Sequence, residues 1–265
     1  MRPMFWPVRD SFCGCFVKRH DARASHRRGD NANPVFMAYS CRFDRPACFI
    51  LPSPARVGLA LFGNFELIAH HASVTMAEVM IGLLLGTFLG VVTAISLALS
   101  PIARVVVRPM MVLSQALPVF ALAPVLTLWL GYGLWPKIIM ALLIIYFPVT
   151  SAFFDGLMQT PRGMLDQAKV MQARPWQIMR YIRIPAAIPA LASGLRLAAV
   201  YAPIGAIIGE WVGASQGLGY LMLLANGRAK IDLMFAALIV LAVLTLLLHA
   251  SVDRLCSYVV RRQQA

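Results

Sequence analysis

The feature that most limits the possible folds is a series of long apolar segments separated by short basic connections. The 265 residues are 60% hydrophobic and only 13% charged. A soluble domain of this length cannot bury that much apolar surface, and an uncharged run of about 20 residues is long enough to span a bilayer. The sequence therefore predicts an all-α integral membrane protein, a polytopic helix bundle with about five spans. These lie at about 74–99, 110–130, 138–154, 190–212 and 233–252.

The first two predicted spans contain residues that constrain their packing. Gly82, Gly86 and Gly90 fall four residues apart, so they share one helix face and allow another helix to approach closely. We favour close packing within one subunit over a contact between two copies. Pro118 and Pro124 lie within the second span and are expected to kink it.

The connections between the spans differ in character. Residues 56–73 are amphipathic and predict an interfacial helix that leads into the first span. Residues 100–109 are expected to form a short loop, whereas 155–189 form a long polar loop. A short helix is expected at 220–225, before the last span.

Composition excludes several classes of function. The net charge of +13 would suggest nucleic-acid binding in a soluble chain, but here the basic residues lie between apolar segments. The positive-inside rule explains them better, so no nucleic-acid partner is expected. The five cysteines have neither zinc nor disulfide spacing, and no GxxxxGK[ST] loop is present. We therefore predict no metal, no catalytic residues and no ATP hydrolysis by this chain.

The long polar loop predicts two short helices. Thr160 and Pro161 are expected to open the first, as its N-cap and first helical residue. Arg174-Pro175 should end it, because a residue before proline avoids the α region. The second helix, from Trp176 to Ile182, runs into the next span. The first helix has an apolar face at helical spacing, formed by Met164, Leu165, Ala168 and Met171.

The same loop carries a spaced motif. The sequence Asp166-Gln167-Ala168, then Gln172, Ile182, Ile184 and Pro185, resembles the Glu-Ala-Ala…Gly…Ile-x-Leu-Pro motif in permease subunits of binding-protein-dependent ABC importers. In that family the glycine ends the first helix, where a left-handed residue is favoured. Gln172 replaces it, and would cost up to about 1 kcal/mol if the turn is unchanged.

The resemblance implies the type I ABC importer permease fold, usually with six spans, of which the first is missing or divergent here. It also implies an ABC ATPase dimer, a periplasmic or lipid-anchored substrate-binding protein, a second permease copy and no cofactor. The expected location is the bacterial inner (plasma) membrane, surrounded by lipid, with the loop and the C-terminus in the cytoplasm. The residues expected to couple to the ATPase are Met164, Leu165, Asp166, Gln167, Ala168, Met171, Gln172, Trp176, Ile182 and Pro185.

The resemblance also suggests how the chain is divided. It covers about residues 49–260, which we interpret as the transmembrane domain, with the coupling loop at 155–189. Residues 1–48 are basic, contain four of the five cysteines and have no run long enough to span a bilayer. We expect this segment to be disordered or read from the wrong frame. Residues 261–265 are expected to be a cytoplasmic tail.

The last third of the chain suggests a substrate. Residues 196–205 and 209–221 are similar to permeases for pyrimidine precursors of thiamine, of the hydroxymethylpyrimidine type. That group belongs to the larger taurine, sulfonate and nitrate permease family, so an alkanesulfonate, taurine or nitrate permease is the alternative. An alternative of another class is a membrane scaffold that transports nothing. Candidate pathway residues are Gln115, Trp129, Tyr201 and Glu210.

Glu210 admits more than one interpretation, because an ionisable group within a span is costly unless it is paired or functional. We favour a structural role or a place at the outer interface. Contact with an aminopyrimidine, or a pair with Arg196 of a neighbouring helix, remains open. Arg196 itself is expected to snorkel to the inner face. The charge distribution assigns Lys137 to the outer side.

Overall fold

A computed structural model of the chain describes residues 52–264, and all regular structure in that range is helical. The expectations for residues 1–48 lie outside the described residues. The first half contains α1 (Pro54–Gly63), α2 (Phe65–Leu99), α3 (Pro101–Ala116), α4 (Val119–Leu130) and α5 (Leu134–Met158). The second half contains α6 (Arg162–Val170), α7 (Pro175–Ile178), a π-helical segment (Met179–Arg183), α8 (Ile184–Gly213), α9 (Leu218–Gly227) and α10 (Ile231–Gln264).

In residues 52–264, four helical stretches are long and apolar enough to cross a membrane, and the bent pair of α3 and α4 would make a fifth. This agrees with the predicted number of about five. The third stretch is continuous from Pro175 to Gly213, because α7, the π-helical segment and α8 follow one another without a break. The short helix expected at 220–225 is confirmed as α9.

The prediction of a loop at 100–109 is wrong, because these residues form most of α3. Ser100 ends α2 and caps α3, where its hydroxyl accepts a hydrogen bond from the Ala103 N–H at 3.3 Å. The chain breaks later, at Leu117 and Pro118, where α3 and α4 meet at 99°. Pro118 has no N–H to donate and keeps Leu117 extended, which explains the sharp turn.

The three glycines of α2 lie against α5, which confirms the expected packing within one subunit. A Cβ at Gly86 would lie 2.9 Å from Cγ2 of Ile145, and one at Gly82 would lie 2.8 Å from Cβ of Ala141. Such distances leave no room for a side chain, so the two helices touch through backbone and small groups. In a bilayer this close approach replaces hydrophobic burial as the main source of helix association.

The main core lies where α2, α5 and α8 meet, and α8 contributes its small side chains there. Ala198, Ala202 and Ala206 recur one turn apart and are fully buried. A second apolar core gathers the end of α2, the start of α3, the end of α5 and the start of α8. We call this end of the bundle the α6 end, since α6 follows α5 there. The opposite end, where α9 lies, is the α9 end.

Candidate functional site

The first candidate site is the pair of short helices at the α6 end. Helix α6 begins one residue later than predicted: Pro161 is its N-cap, and Thr160 donates instead to the Leu157 carbonyl oxygen at 3.1 Å. The capping prediction for Thr160 is therefore wrong, because its hydroxyl closes the end of α5. The predicted break at Arg174-Pro175 is confirmed, with Arg174 extended and α7 beginning at Pro175.

The turn between the two helices has the geometry expected of the motif glycine. Gln172 has a φ of 53°, in the left-handed region. The Ala173 N–H reaches back to the Ala168 carbonyl oxygen at 3.0 Å, a helix-ending pattern that requires a left-handed residue before it. The turn is thus kept with glutamine in the glycine position.

The apolar residues of α6 do not share one environment. Ala168 is only 4% exposed, whereas Met171 and Val170 are 81% and 84% exposed. Met164 is also exposed and Leu165 is partly buried. The first helix therefore presents a large apolar surface away from its own chain, and Val170 belongs to it although the sequence pattern did not select that residue.

Beside this surface lies an open groove of about 540 Å³. Its walls come from both short helices and the π-helical segment. The lining residues are Met164, Gln167, Ala168, Met171, Gln172, Ala173, Gln177, Ile178, Tyr181 and Ile182. The groove therefore brings together most of the residues predicted to couple to the ATPase.

The remaining predicted coupling residues lie beside the groove. Asp166 is exposed and pairs with Lys169 at 2.9 Å, a surface pair that adds little stability. Trp176 is exposed at the start of α7. Pro185 is partly buried at the start of α8, where its carbonyl oxygen accepts a hydrogen bond from Gln263 of α10.

The second candidate site is a cavity of about 600 Å³ between α3, α4, α5 and α8. It brings together Gln115 and Tyr201, two of the four predicted pathway residues. Trp129 lies elsewhere on α4, with 80% of its surface exposed. The other lining residues are Val119, Ile144, Phe147, Pro148, Ser151, Ala152, Asp155 and Leu197.

The third site is a buried polar cluster near the α9 end, which contains the fourth pathway candidate. Glu210 is 1% exposed. One of its carboxylate oxygens accepts the hydroxyl of Thr75 at 2.6 Å and the other accepts the Gly219 N–H at 2.5 Å. Thr75 accepts the Leu218 N–H in turn, at 2.8 Å. The carboxylate therefore joins α8 to α2 and to the start of α9.

An ion pair lies within the same cluster. Nζ of Lys137 lies 2.6 Å from Oε1 of Glu78, and both side chains are almost completely buried. The same ammonium group donates to the Gln216 carbonyl oxygen at 3.4 Å. His71 accepts the Gly217 N–H at 3.0 Å. Hydrogen bonds to side chains of α2, α5 and α8 thus hold the loop before α9 and the start of α9 in place.

This geometry favours one of the earlier interpretations of Glu210. The carboxylate is held inside the protein, which supports the structural role and not the solvated interface. Arg196 does not pair with it, since its Nε lies 2.6 Å from a carboxylate oxygen of Asp253 in α10. Lys137, which the charge distribution assigned to the outer side, lies in this cluster near the α9 end, and its buried ammonium group neutralises Glu78. The signal that sequence reasoning missed was an acid and a base in neighbouring spans.

Among residues 52–263, no group of three or more His, Cys, Asp or Glu side chains lies close enough to hold a metal ion. The sites described above can fix a loop, present an apolar surface and enclose a cavity with a few polar side chains in its wall.

Comparison with known proteins agrees with this arrangement. In Haemophilus influenzae a "Probable ABC transporter permease protein" is 52% identical, over 77% of this chain and 84% of its own length. The "Formylaminopyrimidine transport permease protein ThiX" of Halalkalibacterium halodurans is 34% identical, over 78% and 83%. The "Putative aliphatic sulfonates transport permease protein SsuC" of Bacillus subtilis is 28% identical, over 73% and 71%.

A solved structure supports the fold. An inward-facing form of the MetNI methionine ABC transporter matches 74% of this chain and 98% of the compared chain, with a TM-score of 0.66 and 20% identity. The fold is thus that of type I ABC importer permeases, as the sequence predicted. The model of the family described as "Binding-protein-dependent transport system inner membrane component" matches residues 83–264. The chain therefore belongs to this family, as a multi-pass permease subunit of an ABC importer.

Proposed function

We propose that this permease couples substrate passage to a separate ATPase dimer through α6 and the groove beside it. The observation that carries the proposal is the exposed apolar surface of α6, formed by Met164, Val170 and Met171, in a loop that joins two spans. An exposed surface of this kind on a short helix requires a partner. A nucleotide-driven movement of the partner would reach α8 directly, because α7 is continuous with it.

The proposed orientation places the α6 end in the cytoplasm, together with the C-terminus of α10. Elements that meet at this end carry most of the basic residues of the described chain. The α9 end carries few cations, Arg228 and Lys230 among them. Such an asymmetry is the one that the positive-inside rule predicts. The basic residues at the α6 end are Arg104, Arg108, Arg162, Lys169, Arg174, Arg180, Arg183, Arg254, Arg261 and Arg262.

Two copies of the chain would form the translocation path, and a substrate-binding protein would deliver the substrate at the α9 end. The cavity that contains Gln115 and Tyr201 is the proposed part of this path within each copy. Glu210 would hold the outer end of the path in shape, and Trp129 would face the second copy. The polar side chains in the wall of this mostly apolar cavity support this assignment, since polar groups on a surface that faces lipid are costly.

The proposed substrate is a pyrimidine precursor of thiamine. This is supported by the similarity of residues 196–205 and 209–221 to permeases of that kind, and by the relative named as a formylaminopyrimidine permease. The alternative is an alkanesulfonate, taurine or nitrate, which the sulfonate relative supports. Family membership disfavours a scaffold that transports nothing.

Met171→Asp tests the coupling surface. A carboxylate at this exposed position leaves the membrane helices intact but makes the apolar surface charged, so ATP-driven uptake should fall at least tenfold at an unchanged amount of protein in the membrane. We prefer it to Ala168→Asp, which would place a charge in a buried position and disturb the hairpin itself.

Met171→Leu is the matched control, because it keeps an apolar side chain of similar volume and should retain uptake. Uptake is measured with the transporter expressed together with its ATPase and binding protein, and the ATPase that co-purifies with each variant is quantified. Normal uptake and normal ATPase recovery with Met171→Asp would refute the proposed coupling.

A further inference from the structure

We propose that the cavity between α3, α4, α5 and α8 selects by charge: it admits neutral or cationic solutes with hydrogen-bonding groups and disfavours anions, and Asp155 sets this preference. The inference rests on the proposed function, in which this cavity belongs to the translocation path. It favours a pyrimidine over a sulfonate on grounds that are independent of sequence similarity.

The cavity reaches from one end of the bundle toward its middle. Asp155 lies in the last turn of α5, at the α6 end, whereas Tyr201 lies near the middle of α8. Its volume of about 600 Å³ is ample for a single substituted ring with water. A solute that enters it therefore passes Asp155 and reaches Tyr201 within the span.

The wall has few polar groups, and all of them except the Asp155 carboxylate are uncharged. Gln115, Ser151 and Tyr201 supply uncharged donors and acceptors, and the remaining wall other than Asp155 is apolar. An amide, a hydroxyl and a phenol suit a ring that carries an amino group and ring nitrogens. Phe147 supplies an aromatic face in the same wall.

The charge of the wall is negative. Asp155 is exposed to the cavity, and in the described part of the chain it makes no salt bridge within 4.0 Å. The wall contains no Lys, Arg or His among its described residues. Arg104 and Arg108 stack over the ring of Phe154 and are not among the residues that line the cavity. An anion in the cavity would therefore meet a like charge and no cation among the lining residues.

The four polar side chains of the wall also contrast with the surface that α2 and α10 present. Their exposed side chains include Leu84, Phe88, Leu246 and Leu247, which suit the acyl chains of lipid. A carboxylate, an amide and a phenol together would not be retained against lipid. The cavity face is therefore one that meets water or solute.

Thiol reactivity measures the charge preference without any knowledge of the substrate. Ser151→Cys places a thiol in the cavity wall, in a transporter whose five native cysteines are replaced by alanine. The purified complex with its ATPase is treated with a cationic or an anionic methanethiosulfonate of similar size. Each rate is divided by the rate of the same reagent with a small free thiol.

The cationic reagent should react roughly tenfold faster than the anionic one at low salt, because a single charge several ångströms away acts on them with opposite sign. Adding Asp155→Asn should reduce this ratio to about one. Ser215→Cys, at the α9 end, is the matched control, and its ratio should not change with Asp155→Asn. Leu246→Cys, which faces lipid, should react with neither reagent.

Faster or equal reaction with the anionic reagent at the Ser151→Cys thiol would overturn the proposal, as would a ratio that Asp155→Asn leaves unchanged. Absence of reaction with both reagents in every nucleotide state would also overturn it, by removing the cavity from any aqueous path. These outcomes are independent of the Met171→Asp experiment. Failure of charge selection is therefore distinguishable from failure of the proposed coupling.

Discussion

Lys137 and Glu78 form a buried ion pair near the α9 end. Two charges buried in this way are costly to place inside the protein, and removing one leaves the other without compensation. Glu210 lies in the same cluster, where Thr75 and Gly219 donate hydrogen bonds to its two carboxylate oxygens. The Lys137 ammonium group is therefore the cation of a cluster that contains two buried carboxylates.

Lys137→Met should lower the stability of the folded permease by about 3–5 kcal/mol. The double variant Glu78→Leu/Lys137→Met should recover most of that loss, since two apolar side chains can fill the space of a buried ion pair. The measurement is the temperature at which the detergent-solubilised complex loses its monodisperse chromatographic peak. A double variant no more stable than Lys137→Met would contradict the interpretation.

Single residues also show the limit of sequence reasoning. The left-handed turn at Gln172 could be predicted, because a spaced motif places a glycine there in relatives. The burial of Glu210 was considered, but its partners Thr75 and Gly219 lie far from one another in the chain. The ion pair of Lys137 could not be predicted from charge counting, because a lysine near the end of a span is compatible with both the membrane surface and a buried pair.

At the scale of elements, the hairpin of α6 and α7 keeps its turn despite an unfavourable residue. A non-glycine residue with a φ of 53° is strained, and glycine would relieve this at a gain of about 1 kcal/mol. The strain lies in the segment proposed to contact the ATPase, so it should appear as local opening of α6 and not as loss of the whole fold.

Gln172→Gly should therefore slow cleavage by trypsin at Lys169 about fivefold, because cleavage follows the population of the opened loop. The cleavage sites are read by mass spectrometry of the solubilised complex. Ala229→Gly is the matched control: Ala229 also has a left-handed φ, of 54°, but lies after α9. Equal cleavage of Gln172→Gly and the unmodified protein would show that the turn carries no strain.

Element boundaries were predictable where polarity changes abruptly and not elsewhere. The spans that form α5 and α10 stand out, because long apolar runs end at charged residues. The start of helix α3 was not predictable in this way, since Arg104 and Arg108 made its first half resemble a loop. Their guanidinium groups stack over Phe154, so they belong to a packed helix end.

For the whole molecule, the proposed orientation makes a direct prediction about two exposed lysines. An amine reagent that cannot cross membranes should label Lys230 in right-side-out spheroplasts and leave Lys169 unlabelled. Both should be labelled once the membranes are opened, which controls for reactivity. Quantitative peptide mass spectrometry gives the ratio, and labelling of Lys169 in sealed spheroplasts would reverse the proposed orientation.

The architecture as a whole could be predicted because its signals are long and repeated: apolar runs, basic connections and a spaced motif in the right order. The cavity between α3, α4, α5 and α8 could not be predicted, because its wall combines Gln115 of α3, Ser151 and Asp155 of α5 and Tyr201 of α8. Those residues are far apart in the sequence, and each alone is compatible with ordinary packing. Only the bend after α3 places them around one space.

The continuous helix from Pro175 to Gly213 has a mechanical consequence. Its 39 residues make a rod of about 58 Å, at about 1.5 Å per residue. One tip carries Trp176 and the other carries Glu210. A tilt of about 10° around either tip would displace the far one by roughly 10 Å on that geometry. In the proposed coupling, a small push near one tip would thus become a large displacement at the other. The points at which such a rod would bend are its π-helical segment and its internal prolines, Pro189 and Pro203.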